Sequence, residues 1–114
     1  MEWIRVCNEK SLKDGDLVGF DYHDNNDDNN KKKLLIAKIH GKIYASDGIC
    51  THEYAELSNG FLNEEDKTVT CPLHLYVFNL DIGVALNPPA EKPLKTYEVK
   101  VNEDDGGVYV LLKR

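Results

Sequence analysis

The sequence predicts an all-β domain. Three observations predict the β class. Short runs rich in β-branched and aromatic residues recur along the chain, clusters of Gly, Asn, Asp or Pro bound them, and apolar residues at helical spacing are almost absent. At 114 residues the chain suffices for one domain with a modest core and is too short for two domains plus a linker, so residues 1–114 are read as a single unit. Apolar residues at 41% and charged residues at 30% exclude a disordered, a collagen-like or a membrane-bundle chain.

The runs expected as strands are residues 3–7, 17–22, 34–40, 42–46, 67–70, 76–79, 84–86, 94–101 and 108–112. Between the second and third, residues 24–33 are Asp, Asn and Lys throughout and cannot bury enough surface to offset the entropy of ordering them. They are read as a mobile hairpin loop. His23 and the aspartates beside it have nothing to fix them as ligands, so a solvated loop tip is the expectation there. The run Leu34-Leu35-Ile36-Ala37-Lys38-Ile39, then His40-Gly41, then Ile43-Tyr44-Ala45 reads as a tight hairpin whose turn uses glycine for positive φ. Residues 102–107, ending in Gly106-Gly107, form the polar loop of a closing hairpin, and Glu64-Glu65-Asp66 and Glu103-Asp104-Asp105 read as solvated turns.

A formal charge of −6 argues against nucleic acid and anionic membranes as partners, because both are won by a basic surface. Purely apolar runs reach five residues at most, against about 20 for a membrane span. The start Met1-Glu2-Trp3-Ile4-Arg5 has no basic and then apolar leader, so the expected location is the cytoplasm. Three cysteines cannot all pair internally and are few for a disulfide scaffold, which leaves the thiols for another task.

Two short elements combine cysteine with histidine: Cys50-Thr51-His52 and, after eighteen intervening residues, Cys71-Pro72-Leu73-His74. Four such ligands are chemically able to hold zinc, but zinc fingers usually place two cysteines on one element and two histidines on another. Here each element carries a mixed pair. That arrangement suits a two-iron, two-sulfide core with both cysteines on one iron and both histidines on the other. Asp47-Gly48 turns the chain into the first pair, and Pro72 stiffens the second. Cys7, in the first strand, is read as a spare half-buried thiol, and His40 as a turn residue.

At these residues the chain resembles the Rieske iron-sulfur family, and the resemblance extends over most of its length. It implies one [2Fe-2S] cluster per chain, with Cys50 and Cys71 as ligands of the buried iron and His52 and His74 as ligands of the outer iron. It implies antiparallel sheets with a small cluster-binding subdomain, approximately residues 44–89, and a proline-containing covering loop at residues 87–93. Respiratory Rieske proteins join their two cluster loops by a disulfide; the corresponding positions here are Ala55 and Leu73. Their serine and tyrosine hydroxyl donors are replaced by Tyr76 and Phe78, and the glycine that many relatives carry after the second histidine is Leu75. The sequence is therefore similar to the ferredoxin type of Rieske protein.

The resemblance implies a soluble one-electron carrier, not itself an enzyme, between a reductase and a terminal oxygenase of the ring-hydroxylating type. His52 and His74 would be the exit and entry point, with Leu73, Leu75, Pro88 and Pro89 as an apolar docking patch. The alternative is the small Rieske subunit of an NAD(P)H-dependent nitrite reductase. A third reading, a zinc-bound or metal-free interaction module, requires a colourless protein. Two thiolates and two neutral imidazoles leave an oxidised two-iron core neutral, so it accepts an electron more readily than a four-thiolate core. Potentials of Rieske centres run from roughly −150 to +300 mV, above about −400 mV for plant-type ferredoxins. With an acidic protein field and no hydroxyl donors, the midpoint is expected in the lower part of that range; a redox titration with a midpoint near its upper end would contradict this.

Overall fold

The run Leu34-Leu35-Ile36-Ala37 is apolar at every position instead of at alternate ones, the pattern of a strand buried on both faces. The computed structural model describes residues 2–23, 31–50, 55–73, 76–87 and 92–113, and in it each of these four residues is at most 1% exposed. Eleven strands occur among the described residues: β1 (Glu2–Asn8), β2 (Leu17–His23), β3 (Lys31–Ile39), β4 (Lys42–Asp47), β5 (Phe61–Asn63), β6 (Thr68–Thr70), β7 (Val77–Asn79), β8 (Ala85–Asn87), β9 (Thr96–Tyr97), β10 (Val99–Val101) and β11 (Gly107–Lys113). They form three antiparallel sheets, ordered β1-β11-β10, β2-β3-β4-β9 and β5-β6-β7-β8. Helix is confined there to two short 3₁₀ turns, Glu9–Ser11 and Leu57–Asn59, and none is long and apolar enough to cross a membrane.

The period of two along a strand decides what each face of the β2-β3-β4-β9 sheet meets. Leu34 and Ile36, with Ile43 and Ala45 of β4, pack against Val6, Leu12, Val108 and Val110 of the terminal layer. Leu35, Ala37 and Ile39, with Tyr44, pack on the other side against Leu57, Val69, Phe78, Leu80 and Ala85. The sheet is thus the middle layer, with the terminal sheet on one face and the small sheet on the other. The β3-β4 hairpin closes through His40 and Gly41, both at positive φ (49° and 83°), as a two-residue primed turn demands.

The structure departs from the expected strand pattern at several places. Lys31, Lys32 and Lys33 are not loop: they continue β3 and pair with His23, Tyr22 and Asp21, because the edge strand β2 extends far enough to supply backbone partners. Residues 24–30 lie outside the described residues. Phe61–Asn63 is a strand absent from the expected set, three residues long and paired with β6 in the register Phe61↔Thr70. The expected strand 94–101 is divided at Glu98, where the chain leaves β4 for β11 and the Glu98 carbonyl accepts the Leu111 N–H at 2.9 Å. The run 67–70 starts one residue late, since Lys67 is in the left-handed region (φ 56°) at the end of the 64–67 turn.

Because Ile36 is fully buried between the middle and terminal layers, truncating it leaves a cavity in that interface. Ile36→Ala is expected to lower the unfolding free energy by about 2–5 kcal/mol, measured by urea denaturation of the metal-free protein followed by circular dichroism.

Candidate metal centre

Two hairpin-like loops carry the Cys/His elements, and their bases are built alike. After β4 the chain passes Gly48 and Ile49 to Cys50, whose N–H donates to the Ala55 carbonyl at 3.0 Å, while Ile49 and Glu56 form an isolated antiparallel bridge. After β6 comes Cys71, whose N–H donates to the Tyr76 carbonyl at 2.8 Å, beside the β6-β7 pair Thr70↔Val77. In both loops the cysteine is the last residue before the tip, and its N–H closes a loop of the same size. Satisfying those N–H groups is obligatory for cysteines buried as deeply as these, which are 5% and 0% exposed.

Both side chains enter one apolar cluster with Leu35, Ala37, Leu57, Val69, Phe78 and Leu94. None of the three cysteines is in a disulfide. Cys7 packs against the other core, on the far side of the middle sheet, and burial pushes its thiol pKa up while Arg5 partly offsets the rise. The structure therefore separates the cysteines two and one. His52 lies in segment 51–54 and His74 in segment 74–75, both outside the described residues. So do Leu75 and the proline stretch 88–91. The described donor chemistry fits an iron-sulfur cluster on one side: two thiols held in the same dry pocket, on separate loops, suit joint ligation of a buried metal.

The positions that distinguish this chain from the disulfide-bearing type have clear environments. Ala55 is buried in the apolar cluster with Cys50 and Cys71, while Leu73 projects at 58% exposure beside Pro72. Phe78 fills the core at 0% exposure and brings no hydroxyl to it, and Tyr76 is partly buried against the same residues.

Supports for the loops were not evident from the sequence. Gly60, which ends the turn Leu57–Asn59, lies against the residue before Cys71: a Cβ placed on it would stand 2.1 Å from the Thr70 carbonyl oxygen. The chain leaving the first loop thus enters β5 in direct backbone contact with the end of β6, the strand that leads to Cys71. Asp47, at the end of β4, accepts the Tyr97 hydroxyl at 2.5 Å and donates its N–H to the Lys95 carbonyl at 2.9 Å. Burial first, and then the bond to Asp47, push the Tyr97 phenol well above its ordinary value. Lys33 Nζ lies 2.8 Å from Asp21 Oδ1 and 2.5 Å from Glu56 Oε1, joining β2, β3 and the end of the Cys50 loop. Such contacts link residues remote in sequence, and only the glycine in Asn59-Gly60 carries any local signal.

Comparison with known proteins agrees with this geometry. The Rieske [2Fe-2S] domain family matches residues 2–98. The ferredoxin component of the naphthalene 1,2-dioxygenase/salicylate 5-hydroxylase systems of Ralstonia sp. is 37% identical over 99 residues, which is 87% of this chain and 86% of the relative. Among solved structures, one determined as the complex of reduced oxygenase and oxidised ferredoxin in carbazole 1,9a-dioxygenase superposes with TM-score 0.79 at 28% identity, covering 98% of this chain and 94% of the matched one. The NADH-dependent nitrite reductase small subunit of Mycobacterium tuberculosis, at 20% identity, 96% and 93% coverage and TM-score 0.78, shares the fold.

A methyl group at Gly60 must displace either the Thr70 backbone or its own turn. Gly60→Ala is accordingly expected to cost about 1–3 kcal/mol and to lower the cluster content per chain, read as visible absorbance against protein, while far-ultraviolet circular dichroism keeps its β form.

Proposed function

Since the chain belongs to the Rieske [2Fe-2S] family, we propose that it is the ferredoxin component of an aromatic-ring dioxygenase system, carrying single electrons from a reductase to a terminal oxygenase. The observation that carries the reading is the pair of matched loops that bring Cys50 and Cys71, and no third cysteine, into one buried apolar cluster. Cys50 and Cys71 would hold the inner iron and His52 and His74 the outer one, one cluster per chain, with residues 44–89 as the cluster-binding subdomain. The cluster supplies reversible one-electron storage between its oxidised and reduced forms.

The chain's own residues do the rest. Backbone N–H groups of Cys50 and Cys71 are committed to closing the loops, so both cysteines stay at fixed points of the base. Phe78, Val69, Leu57 and Leu35 pack around the two cysteines and exclude water from them. Leu73, exposed next to Cys71-Pro72, offers a partner apolar contact. The net charge of −6 favours partners with a basic docking face. The protein is a carrier and not itself a catalyst, with electron-transfer proteins as partners and neither nucleic acid nor membrane among them. A cytoplasmic location is consistent with cysteines that are outside disulfides. The nitrite reductase alternative has fold similarity as its support and no residue-level observation in its favour.

Purified protein should contain iron and acid-labile sulfide in equal amounts, and after dithionite reduction should give the electron paramagnetic resonance spectrum of mixed His/Cys ligation. His52→Ala or His74→Ala should abolish that spectrum and Cys7→Ser should leave it intact. A colourless protein, or an all-cysteine spectrum, would reject the reading; stable copurification with a large sirohaem subunit would shift it to nitrite reductase.

A further inference from the structure

The run Lys31-Lys32-Lys33 has the composition of a solvated loop, yet its last member is at the centre of the best-connected charged contact among the described residues. Lys33 sits in β3, opposite Asp21 of β2, and its side chain is 20% exposed. The aliphatic stem runs between two glycines. A Cβ on Gly48 would come within 2.6 Å of Lys33 Cγ, and one on Gly19 would come within 3.6 Å of Lys33 Cδ. The ammonium then reaches Asp21 Oδ1 at 2.8 Å and Glu56 Oε1 at 2.5 Å.

The Cys50 loop has two feet, and Lys33 touches both. At the entering foot, Gly48 donates its N–H to the Lys33 carbonyl at 2.9 Å, and its lack of a side chain lets the backbone lie on the Lys33 stem. At the leaving foot, Glu56 takes the ammonium. The feet are also joined to each other by the Leu57 N–H to Gly48 carbonyl bond at 2.9 Å and by the Ile49↔Glu56 bridge. Between them lies Cys50, closed onto Ala55. A single residue of the doubly buried strand therefore holds the base of this loop by its main chain, its stem and its charge.

We propose that Lys33 is a positioning residue for the cluster, fixing through Gly48 and Glu56 the base of the loop from which Cys50 reaches the metal. The inference rests on the cluster reading given above. Its physical basis is the support that outer groups give to metal ligands: they do not touch the metal, yet they set ligand orientation and retention. The hydrogen bonds to Asp21 and then to Glu56 push the Lys33 ammonium pKa up, so the charge that grips Glu56 is present throughout the neutral range. A lysine that merely decorated the sheet would be paired within it; this one also crosses to the metal loop.

The experiment uses the cluster-loaded protein, with iron release to a chelator followed by visible absorbance and the reduced cluster examined by electron paramagnetic resonance. Lys33→Met and Glu56→Gln should each accelerate iron release about two- to fivefold, the range open to a partly exposed ion pair, and should broaden the resonance lines. The double variant should be no faster than Lys33→Met alone, which already removes the contact with Glu56. Lys33→Arg, which keeps charge and reach, should behave as wild type. Lys42→Met removes the same charge from β4 without touching the loop and should also behave as wild type. If Lys33→Met fails to fold, the comparison of Glu56→Gln with Lys42→Met decides. Release rates and spectra unchanged in Glu56→Gln, additive effects in the double variant, or an equal effect of Lys42→Met would overturn the inference while leaving the cluster reading in place. A wild-type protein that takes up no iron and sulfide overturns the cluster reading itself, and that result is seen before any variant is made.

Discussion

Strand β3 has no solvent face between Leu34 and Ala37, and that double burial is the constraint on which the other layers depend. A strand with apolar groups on both faces must be covered twice, and the chain covers it with its two ends on one side and its middle on the other. The ends supply β1, β10 and β11, a layer whose contents are Val6, Val108 and Val110. The middle supplies the small sheet and both cysteine loops. Each fully buried Leu or Ile contributes about 1.5–3 kcal/mol of transfer free energy, so the layered core, and not any charged pair, carries the stability of the domain.

The division of layers is also a division of labour. The far side of the middle sheet holds a conventional core together with Cys7, and its alteration should be felt as stability. The near side holds Cys50 and Cys71 among Leu57, Val69 and Phe78, and its alteration should be felt at the metal. The cysteines are presented by loops that emerge from two different sheets, Cys50 after β4 and Cys71 after β6. Both loops nevertheless deliver their cysteines into the same apolar cluster, as the proposed shared ligation would require. Without a disulfide between the loops, their mutual placement rests on backbone hydrogen bonds, on close glycine contacts and on the ion pair of Lys33 with Glu56.

The electrostatic setting follows from the same packing. Phe78 and Leu57 keep the thiolate side dry and bring no hydroxyl donor to it. The charged residues remain outside, at the 64–67 and 103–105 turns, where water screens them and where they can still attract a basic partner.

Much of the fold was legible in the residues themselves. Alternating and continuous apolar runs identified most strands, His40-Gly41 marked a hairpin turn, and the two mixed Cys/His elements named the metal chemistry through the donor types they bring. These are local properties, written in period and spacing, and the sequence by itself determined them. The tertiary structure decided what depends on neighbours: that Phe61–Asn63 finds a partner in β6, that residues 94–101 change sheets at Glu98, that three lysines extend β3, and that Cys7 lies across the sheet from the other two cysteines. Lys33 is the sharpest case. In sequence it ends a polar run; in space its stem lies over Gly48 and its charge meets Glu56, because strand pairing brings together groups whose separation along the chain carries no signal.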